Sequence, residues 1–189
     1  NNADVTIAGI PVTREAARSL GIMQVDDTGR VNGFVEKPQT DDEIAKVRMD
    51  PAWIDARGIP SNGRDCLASM GLYIFNKQVM IDLLEGNNHQ DFGKEVFPNA
   101  INSKKVQVHL FDGYWEDIGT IQAFFQAHMD MLDDDAPFEF HKAEKPIFTR
   151  PRFLPNIHAN NCNLERCRVA EGTVLEGATV RDSIVGLRS

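Results

Sequence analysis

Two hexapeptides follow each other directly near the end of this 189-residue chain, VAEGTV at 169–174 and LEGATV at 175–180. Both carry an aliphatic residue and a small residue at matching positions, and the small ones are Thr173 and Thr179. A six-residue period with one aliphatic and one small inward position is typical of a parallel β-helix. A pair of ordinary strands joined by glycine turns is the alternative. The repeat predicts the start of a β-helix at this end.

The preceding residues, 5–134, show a different organisation, in which strand and helix patterns alternate. Strands are predicted at 5–12, 22–25, 30–36, 67–75 and 106–110, and helices near Thr13, Thr40, Asn76, Asp91 and Thr120. Residues 50–65 are rich in Pro, Gly, Asn and Ser, and are predicted to form a mobile loop. Four prolines between 137 and 155 indicate an extended connector. Alternating strands and helices favour an α/β layered domain.

The helix after Thr120 has the clearest periodicity in the chain. Ile121, Phe124, Phe125 and His128 fall on one stripe at helical spacing, which predicts a buried face. His128 on such a stripe is expected to be a packed histidine rather than a metal ligand.

Composition excludes several classes of function. Lys and Arg number 20 against 28 Asp and Glu, giving a net charge of −8 with no basic block, so no nucleic-acid partner is expected. No apolar run approaches the roughly 18 residues of a membrane helix, so no membrane partner is expected. The 3 cysteines include no Cys-x-x-Cys pair, which fits a reducing compartment better than a disulfide framework.

Both ends of the sequence read as cuts. The chain opens at Asn1 with no signal-peptide pattern and ends at Ser189 beside the hexapeptides. It contains no Gly-x-Gly-x-x-Gly or Walker A motif. We therefore expect a fragment of a longer protein, with any nucleotide phosphate loop outside this sequence.

Glu36 and Lys37 are the first candidates for chemistry, because they place opposite charges at the end of an apolar strand. Pro38 is expected to keep Lys37 extended and projecting. A lysine is a compact cation suited to a phosphate, and a carboxylate can accept two sugar hydroxyls. Because neighbouring strand residues point to opposite faces, both can serve one site only if the strand twists or ends there. A surface ion pair is the alternative.

Two further positions are candidates. Asp117 precedes a Gly-Thr helix start, in a loop where a carboxylate can bind a cation such as Mg²⁺ together with substrate phosphates, although it could equally cap the helix. Ser69 stands two residues before Gly71, and a glycine inside a strand marks either close backbone approach to a ligand or tight packing.

In combination and in this order, six segments resemble the glucose-1-phosphate adenylyltransferase (ADP-glucose pyrophosphorylase) family. They are GIMQVD at 21–26, FVEKP at 34–38, ASMGLYIF at 68–75, DFGKEV at 91–96, YWEDIGT at 114–120 and SIVGLRS at 183–189. Glu-Lys-Pro and Trp-x-Asp-x-Gly-Thr are shared by many sugar-nucleotide pyrophosphorylases. The Ser-Met-Gly and Asp-Phe-Gly-Lys stretches are closest to the ADP-glucose type.

The resemblance implies an α/β fold: part of a Rossmann-like, GT-A-like nucleotidyltransferase sheet domain, followed by the start of a left-handed parallel β-helix. The implied domains are a sugar-phosphate-binding part at 1–134, and a linker with the first β-helix coils at 135–189. The implied reaction joins the adenylyl group of ATP to glucose 1-phosphate with Mg²⁺ assistance, giving ADP-glucose and pyrophosphate for glycogen or starch synthesis. In that family the nucleotide loop and the second metal aspartate precede the segment seen here, so this chain alone is expected to be inactive.

The same resemblance assigns roles to five residues. Lys37 would hold the phosphate of glucose 1-phosphate, while Glu36 and Ser69 would take sugar hydroxyls. Gly21 would contact the bound sugar nucleotide through its backbone, and Asp117 would be one of two metal-binding aspartates. Lys37 and Asp117 are accordingly the catalytic candidates.

The family also implies a homo- or heterotetramer, allosteric control, and a cytoplasmic location (plastid in a plant). Two other functions remain open. One is a sugar-nucleotide pyrophosphorylase that uses GTP, UTP or dTTP, and the other is a non-catalytic regulatory subunit of the same assembly. Intact Lys37 and Asp117 favour a catalytic chain over a regulatory one.

Overall fold

The computed structural model describes residues 2–85, 91–139, 143–144 and 146–189, so part of the predicted connector lies outside the described residues. The chain divides into two units, Asn1–Gly113 and Tyr114–Ser189. Within the described ranges, no helix has the length and apolarity needed to cross a membrane.

A five-stranded mixed sheet organises the first unit. Its strands are β1 (Val5–Val12), β2 (Gly21–Val25), β3 (Val31–Glu36), β4 (Cys66–Phe75) and β5 (Val106–Leu110), in the order β3-β2-β4-β1-β5. β1 and β5 are parallel, and the other neighbours are antiparallel. The five predicted strands are confirmed, and with the helices between them they form the α/β layered domain that the alternating pattern predicts.

Six α-helices and one π-helical turn lie among the described residues. They are α1 (Arg14–Ala17), α2 (Asp41–Val47), α3 (Pro51–Asp55), α4 (Lys77–Leu84), the π-helical turn Phe92–Val96, α5 (Phe97–Ser103) and α6 (Ile121–Asp130). Thr40 and Glu43 form the predicted capping box of α2, and Asn76 and Thr120 cap α4 and α6. Each cap satisfies a backbone N–H that the first helical turn leaves without an acceptor.

One apolar face of the sheet is fully buried. Ile7, Met23, Leu67 and Val106 contribute from four strands, and Phe97 of α5 packs into the same core. Burying each of these side chains stabilises the fold by about 1.5–3 kcal/mol. The free edge of β5 is met by the β2–β3 turn, since the N–H of Val108 donates to the carbonyl of Gly29 at 2.9 Å.

The prediction of a mobile loop over residues 50–65 is wrong for its first half. Asp50 caps α3 and Pro51 occupies the first helical turn, where its missing N–H costs nothing. Trp53 and Ile54 of this helix are buried, and the Arg57 guanidinium lies 3.6 Å from the Trp53 ring centre. The segment is thus fixed by core packing.

The second unit contains α6 and four short strands. β6 (His158–Asn160) pairs in parallel with β8 (Val174–Glu176), and β7 (Asn163–Val169) pairs in parallel with β9 (Thr179–Val185). Both pairings join residues sixteen positions apart (158 with 174, 163 with 179). Thr173 is fully buried as predicted, whereas Thr179 is exposed and does not continue the inward column. Stacking therefore follows the sixteen-residue offset, which the hexapeptide period did not indicate.

The apolar stripe of α6 is buried only towards its C-terminal end. Ile121, Phe124 and Phe125 are 90%, 52% and 59% exposed, while Met131 and Leu132 just beyond the helix are buried. The predicted buried face is therefore wrong for the first two turns of α6, where the large apolar side chains are exposed. His128 is half-buried, with its ring 4.2 Å from that of Phe124.

Candidate active site

Three adjacent strands bring Gly21, Glu36 and Ser69 into one row across the sheet. Gly21 pairs with Glu36 in the β2–β3 register. In the β2–β4 register, Ile22 pairs with Ala68, and Gly21 and Ser69 stand one residue beyond that pair. Because paired residues of antiparallel strands project to the same face, the three predicted positions share one side of the sheet.

The carboxylate of Glu36 is half-buried and has no hydrogen-bond or ion-pair partner among the described residues. Its Oε2 lies 2.7 Å from where a Cβ on Gly21 would stand, and 3.0 Å from the corresponding point on Gly93. The carboxylate can occupy this space because Gly21 and Gly93 have no side chains. A partly desolvated carboxylate without a donor is a strong acceptor for ligand hydroxyls.

Lys37 departs from the predicted extended conformation. Its φ is +51°, in the left-handed region, and its N–H donates to the carbonyl of Leu20 at 2.9 Å. Pro38 disfavours the right-handed helical region for Lys37. The left-handed region stays accessible, and the hydrogen bond to Leu20 holds Lys37 in that region. The strand ends at Glu36, which is the condition under which Glu36 and Lys37 can serve one site. The Lys37 side chain is exposed and has no partner in the described chain.

A bulge in β4 begins directly after Ser69. The β1 register runs from Ile7 opposite Tyr73 to Gly9 opposite Ser69, so three β4 residues face a single β1 residue. Gly71 within the bulge has a φ of +72°, and no atom lies within 4 Å of where its Cβ would stand. Gly71 is therefore required by the backbone conformation, and the packing explanation for this glycine is wrong.

Tyr73 and Asp91 also border this row, and the sequence reasoning assigned neither of them a role. The Tyr73 hydroxyl lies 3.3 Å from the Ser69 hydroxyl. Burial raises the pKa of Tyr73; the hydrogen bond with Ser69 lowers it, and the charges of Glu36 and Asp91 raise it. The net shift is upward, so the phenol stays protonated. The Asp91 Oδ1 accepts from the Lys94 N–H at 2.9 Å, at the start of the π-helical turn.

An aromatic cluster lies against these polar groups. The Tyr73 ring is 4.6 Å from the Phe97 ring and 5.9 Å from the Phe92 ring, and Phe34 lies 5.9 Å from Phe97. Apolar ring faces beside the carboxylates of Glu36 and Asp91 and the hydroxyls of Ser69 and Tyr73 form a surface suited to a polyhydroxylated ligand.

Asp117 belongs to the second unit. Its carboxylate is exposed and has no partner among the described residues; its oxygens stand 3.3 and 3.5 Å from where a Cβ on Gly119 would lie. Thr120, not Asp117, caps α6, because its hydroxyl accepts from the Ala123 N–H. The described residues hold no group of three or more His, Cys, Asp or Glu side chains able to bind a metal. One free carboxylate fits Mg²⁺, which takes one or two carboxylates together with substrate phosphates.

Three arginines of the second unit line an open cavity of about 570 Å³. Arg150, Arg152 and Arg188 surround it together with Phe153 and Leu187. None of these guanidinium groups has a carboxylate partner within the described ranges. In a chain with a net charge of −8, three unpaired arginines around one cavity favour an anionic ligand.

Comparison with protein-family models matches residues 1–134 to a model described as nucleotidyl transferase. The matched range contains Gly21, Glu36, Ser69 and Asp117.

Proposed function

Because the chain belongs to the nucleotidyl transferase family, we propose that it serves the transfer of the adenylyl group of ATP to glucose 1-phosphate, which yields ADP-glucose and pyrophosphate. The observation that carries the sugar-phosphate part is the unpaired, half-buried Glu36 carboxylate directly before the unpaired Lys37 ammonium. A carboxylate that accepts hydroxyls and a cation that binds phosphate together match a sugar phosphate.

Each residue of the row has a role in this proposal, as do the neighbouring Lys37 and Tyr73. Lys37 binds the phosphate of glucose 1-phosphate, and Glu36 and Ser69 accept sugar hydroxyls. The backbone of Gly21 contacts the bound sugar nucleotide. Tyr73, which stays protonated, supplies a donor beside Ser69.

The reaction requires that these residues align the substrates and neutralise phosphate charge. A phosphate oxygen of the sugar phosphate forms a bond to the α-phosphorus of ATP, and the bond from that phosphorus to the bridging oxygen breaks, so pyrophosphate leaves with the electron pair. Lys37 holds the attacking phosphate in place and offsets its charge. Asp117 would hold Mg²⁺, which supplies further neutralisation of phosphate charge when bound.

Four further parts of the proposal concern the second unit, the assembly, its location and its regulation. The stacked strands start a left-handed β-helix, and the protein is a homo- or heterotetramer located in the cytoplasm or, in a plant, in the plastid. Control by an anionic effector is supported by the cavity of Arg150, Arg152 and Arg188. R152A is expected to reduce the response to inorganic phosphate while kcat stays unchanged.

Binding of glucose 1-phosphate to the 189-residue chain, followed by NMR titration, tests the sugar-phosphate site. We expect K37A to weaken binding about 10- to 100-fold, since it removes a charge-assisted hydrogen bond. K46A, which removes an exposed lysine of α2, is the matched control and should leave binding unchanged. Equal effects of the two substitutions would contradict the role of Lys37.

A nucleotide panel with the full-length protein tests the adenylyl donor. Pyrophosphate release with glucose 1-phosphate is expected with ATP in preference to GTP, UTP or dTTP. Preference for another nucleotide would indicate a different sugar-nucleotide pyrophosphorylase. Turnover with none of them, together with retained sugar-phosphate binding, would indicate a regulatory subunit.

A further inference from the structure

The short linker between β3 and α2 fixes the Lys37 backbone at both ends. The Lys37 N–H donates to the Leu20 carbonyl at 2.9 Å, and the Lys37 carbonyl accepts from the Gln39 side-chain amide at 2.7 Å. The side chain of Lys37 has no partner of its own in the described part of the chain. Its backbone contacts therefore set the direction of the Cα–Cβ bond, from which the ammonium extends.

Gln39 makes more contacts than any other residue of this linker. Its Nε2 also donates to the Arg18 carbonyl at 3.1 Å, so one amide bridges two carbonyls. Its own carbonyl accepts from the Arg18 guanidinium, and its N–H donates to Glu43 Oε2 at 2.8 Å. Gln39 thereby ties Lys37 to the end of α1 and to the start of α2.

The backbone conformation of Lys37 explains why the hydrogen bonds from Gln39 matter. A φ of +51° is unfavourable for lysine, and such a conformation persists only where the surroundings determine it. We propose that Gln39 is a positioning residue, whose amide holds Lys37 in the left-handed conformation and so directs its ammonium towards the phosphate of the substrate. This inference rests on the proposed role of Lys37.

Only a primary amide on a side chain of this length can donate to both the Lys37 and the Arg18 carbonyls. Two carbonyl oxygens need two N–H donors from one group, and the glutamine amide has two. A glutamate at this position would present acceptors to both carbonyls, while an alanine would remove the bridge. Both Gln39→Glu and Gln39→Ala should therefore release Lys37.

A double-mutant cycle on the 189-residue chain tests the proposal, with glucose 1-phosphate as the probe. In the presence of Lys37, Q39A is expected to weaken binding about fivefold to tenfold, because both hydrogen bonds of the bridge are lost and the ammonium is no longer directed at the phosphate. In the K37A background, Q39A should change binding less than twofold, because the ammonium it positions is absent. Equal factors in both backgrounds would overturn the positioning role.

Two controls separate this result from other causes. Q107A removes the Gln107 amide donor to the Thr28 carbonyl, at 2.6 Å, and should leave sugar-phosphate binding unchanged. Urea unfolding of Q39A shows whether the variant is folded at the titration temperature, and Q39E provides a second folded test of the same bridge. If K37A itself leaves binding unchanged, the proposed function fails; if K37A weakens binding and neither Q39A nor Q39E does, only the positioning role fails.

Discussion

Gly21 stands opposite Glu36 in the pairing of β2 and β3, and the Glu36 carboxylate occupies the space where a side chain at Gly21 would begin. The Phe34 ring closes the same space, with Cζ 2.6 Å from that point. The absence of a side chain at residue 21 is therefore what allows the carboxylate to lie against the sheet. The two residues form one structural feature, although fifteen positions of sequence separate them.

Gly21→Ala is expected to displace Glu36 and to weaken glucose 1-phosphate binding. The new methyl group would meet Oε2 at 2.7 Å and Phe34 Cζ at 2.6 Å, so one of the two groups must move. Overpacking of this kind costs about 1–3 kcal/mol of folding free energy. Urea unfolding and NMR titration with glucose 1-phosphate measure the two effects.

Gly58→Ala is the matched control for this substitution. Gly58 has a φ of +81° and open space around it, so alanine there strains the backbone without touching the site. It should cost about 1 kcal/mol of stability and leave binding unchanged. Normal sugar-phosphate binding by folded G21A would show that Glu36 has room to move without loss of the site.

Asp65 is expected to make the first unit sensitive to acid. It is 4% exposed, and although burial acts to raise its pKa, the hydrogen bonds and charges of Arg14 and Arg48 hold the pKa below its ordinary value of 3.8. Because the folded pKa is the lower one, the stabilising contribution is present above about pH 4 and is lost as the pH falls through the folded pKa.

Asp65→Asn tests this contribution through its pH dependence. At pH 7 the variant should be less stable by about 2 kcal/mol, since the guanidiniums of Arg14 and Arg48 lose a charged acceptor. The difference between the two proteins should shrink as the pH falls below 4. D41N, which changes an exposed aspartate paired with Arg18, serves as the control. A difference that stays constant with pH would contradict the argument.

Cys66 is expected to resist alkylation in the folded protein. It is fully buried, and burial raises its pKa to about 11. Since the thiolate is the reactive species, a pKa about two units above 9.0 lowers the reactive fraction at pH 8 about 100-fold, before access is considered. Cys162 and Cys167 are half-buried and should react first.

Mass spectrometry after iodoacetamide treatment measures the order of labelling. In urea the three thiols should react at similar rates, which controls for intrinsic reactivity. Cys66 labelling as fast as that of Cys162 in native buffer would show that β4 opens far more often than its packing implies.

Local signals explain which parts of the fold the sequence could predict. The capping box of Thr40 and Glu43 and the cap at Asn76 need only residues within one helical turn, and both are as predicted. The Asp50-Pro51 pair is an equally local helix start, but we interpreted its proline as a loop signal. The helix that follows is held by burial of Trp53, which is a tertiary contact.

The site depends on contacts that no local pattern contains. The left-handed conformation of Lys37 needs the carbonyl of Leu20, which the sheet brings alongside. Tyr73 reaches Ser69 because of the β4 bulge, and Asp91 reaches the same place through the π-helical turn. Sequence reasoning selected Glu36 and Lys37 from their charges at a strand end. The groups around them are brought together by strand pairing between residues far apart in the chain, which no local pattern shows.

Thr173→Val tests the interior of the second unit. Thr173 is fully buried, and its hydroxyl donates to the Gly186 carbonyl at 3.0 Å. Valine has nearly the shape of threonine and lacks only the hydroxyl donor. In T173V the Gly186 carbonyl still accepts from the Ser189 hydroxyl at 3.1 Å. The expected loss of stability is therefore the net contribution of one hydrogen bond, about 1 kcal/mol.

Native-state hydrogen exchange measures this loss at the strands themselves. The amide of His158, which donates to the Thr173 carbonyl at 2.9 Å, should exchange about fivefold faster in T173V. Thr179→Val makes the same chemical change at an exposed position six residues further along and should leave exchange unchanged. If the two variants behave alike, Thr173 does not stabilise the stacked strands through its hydroxyl, and burial alone accounts for its place among them.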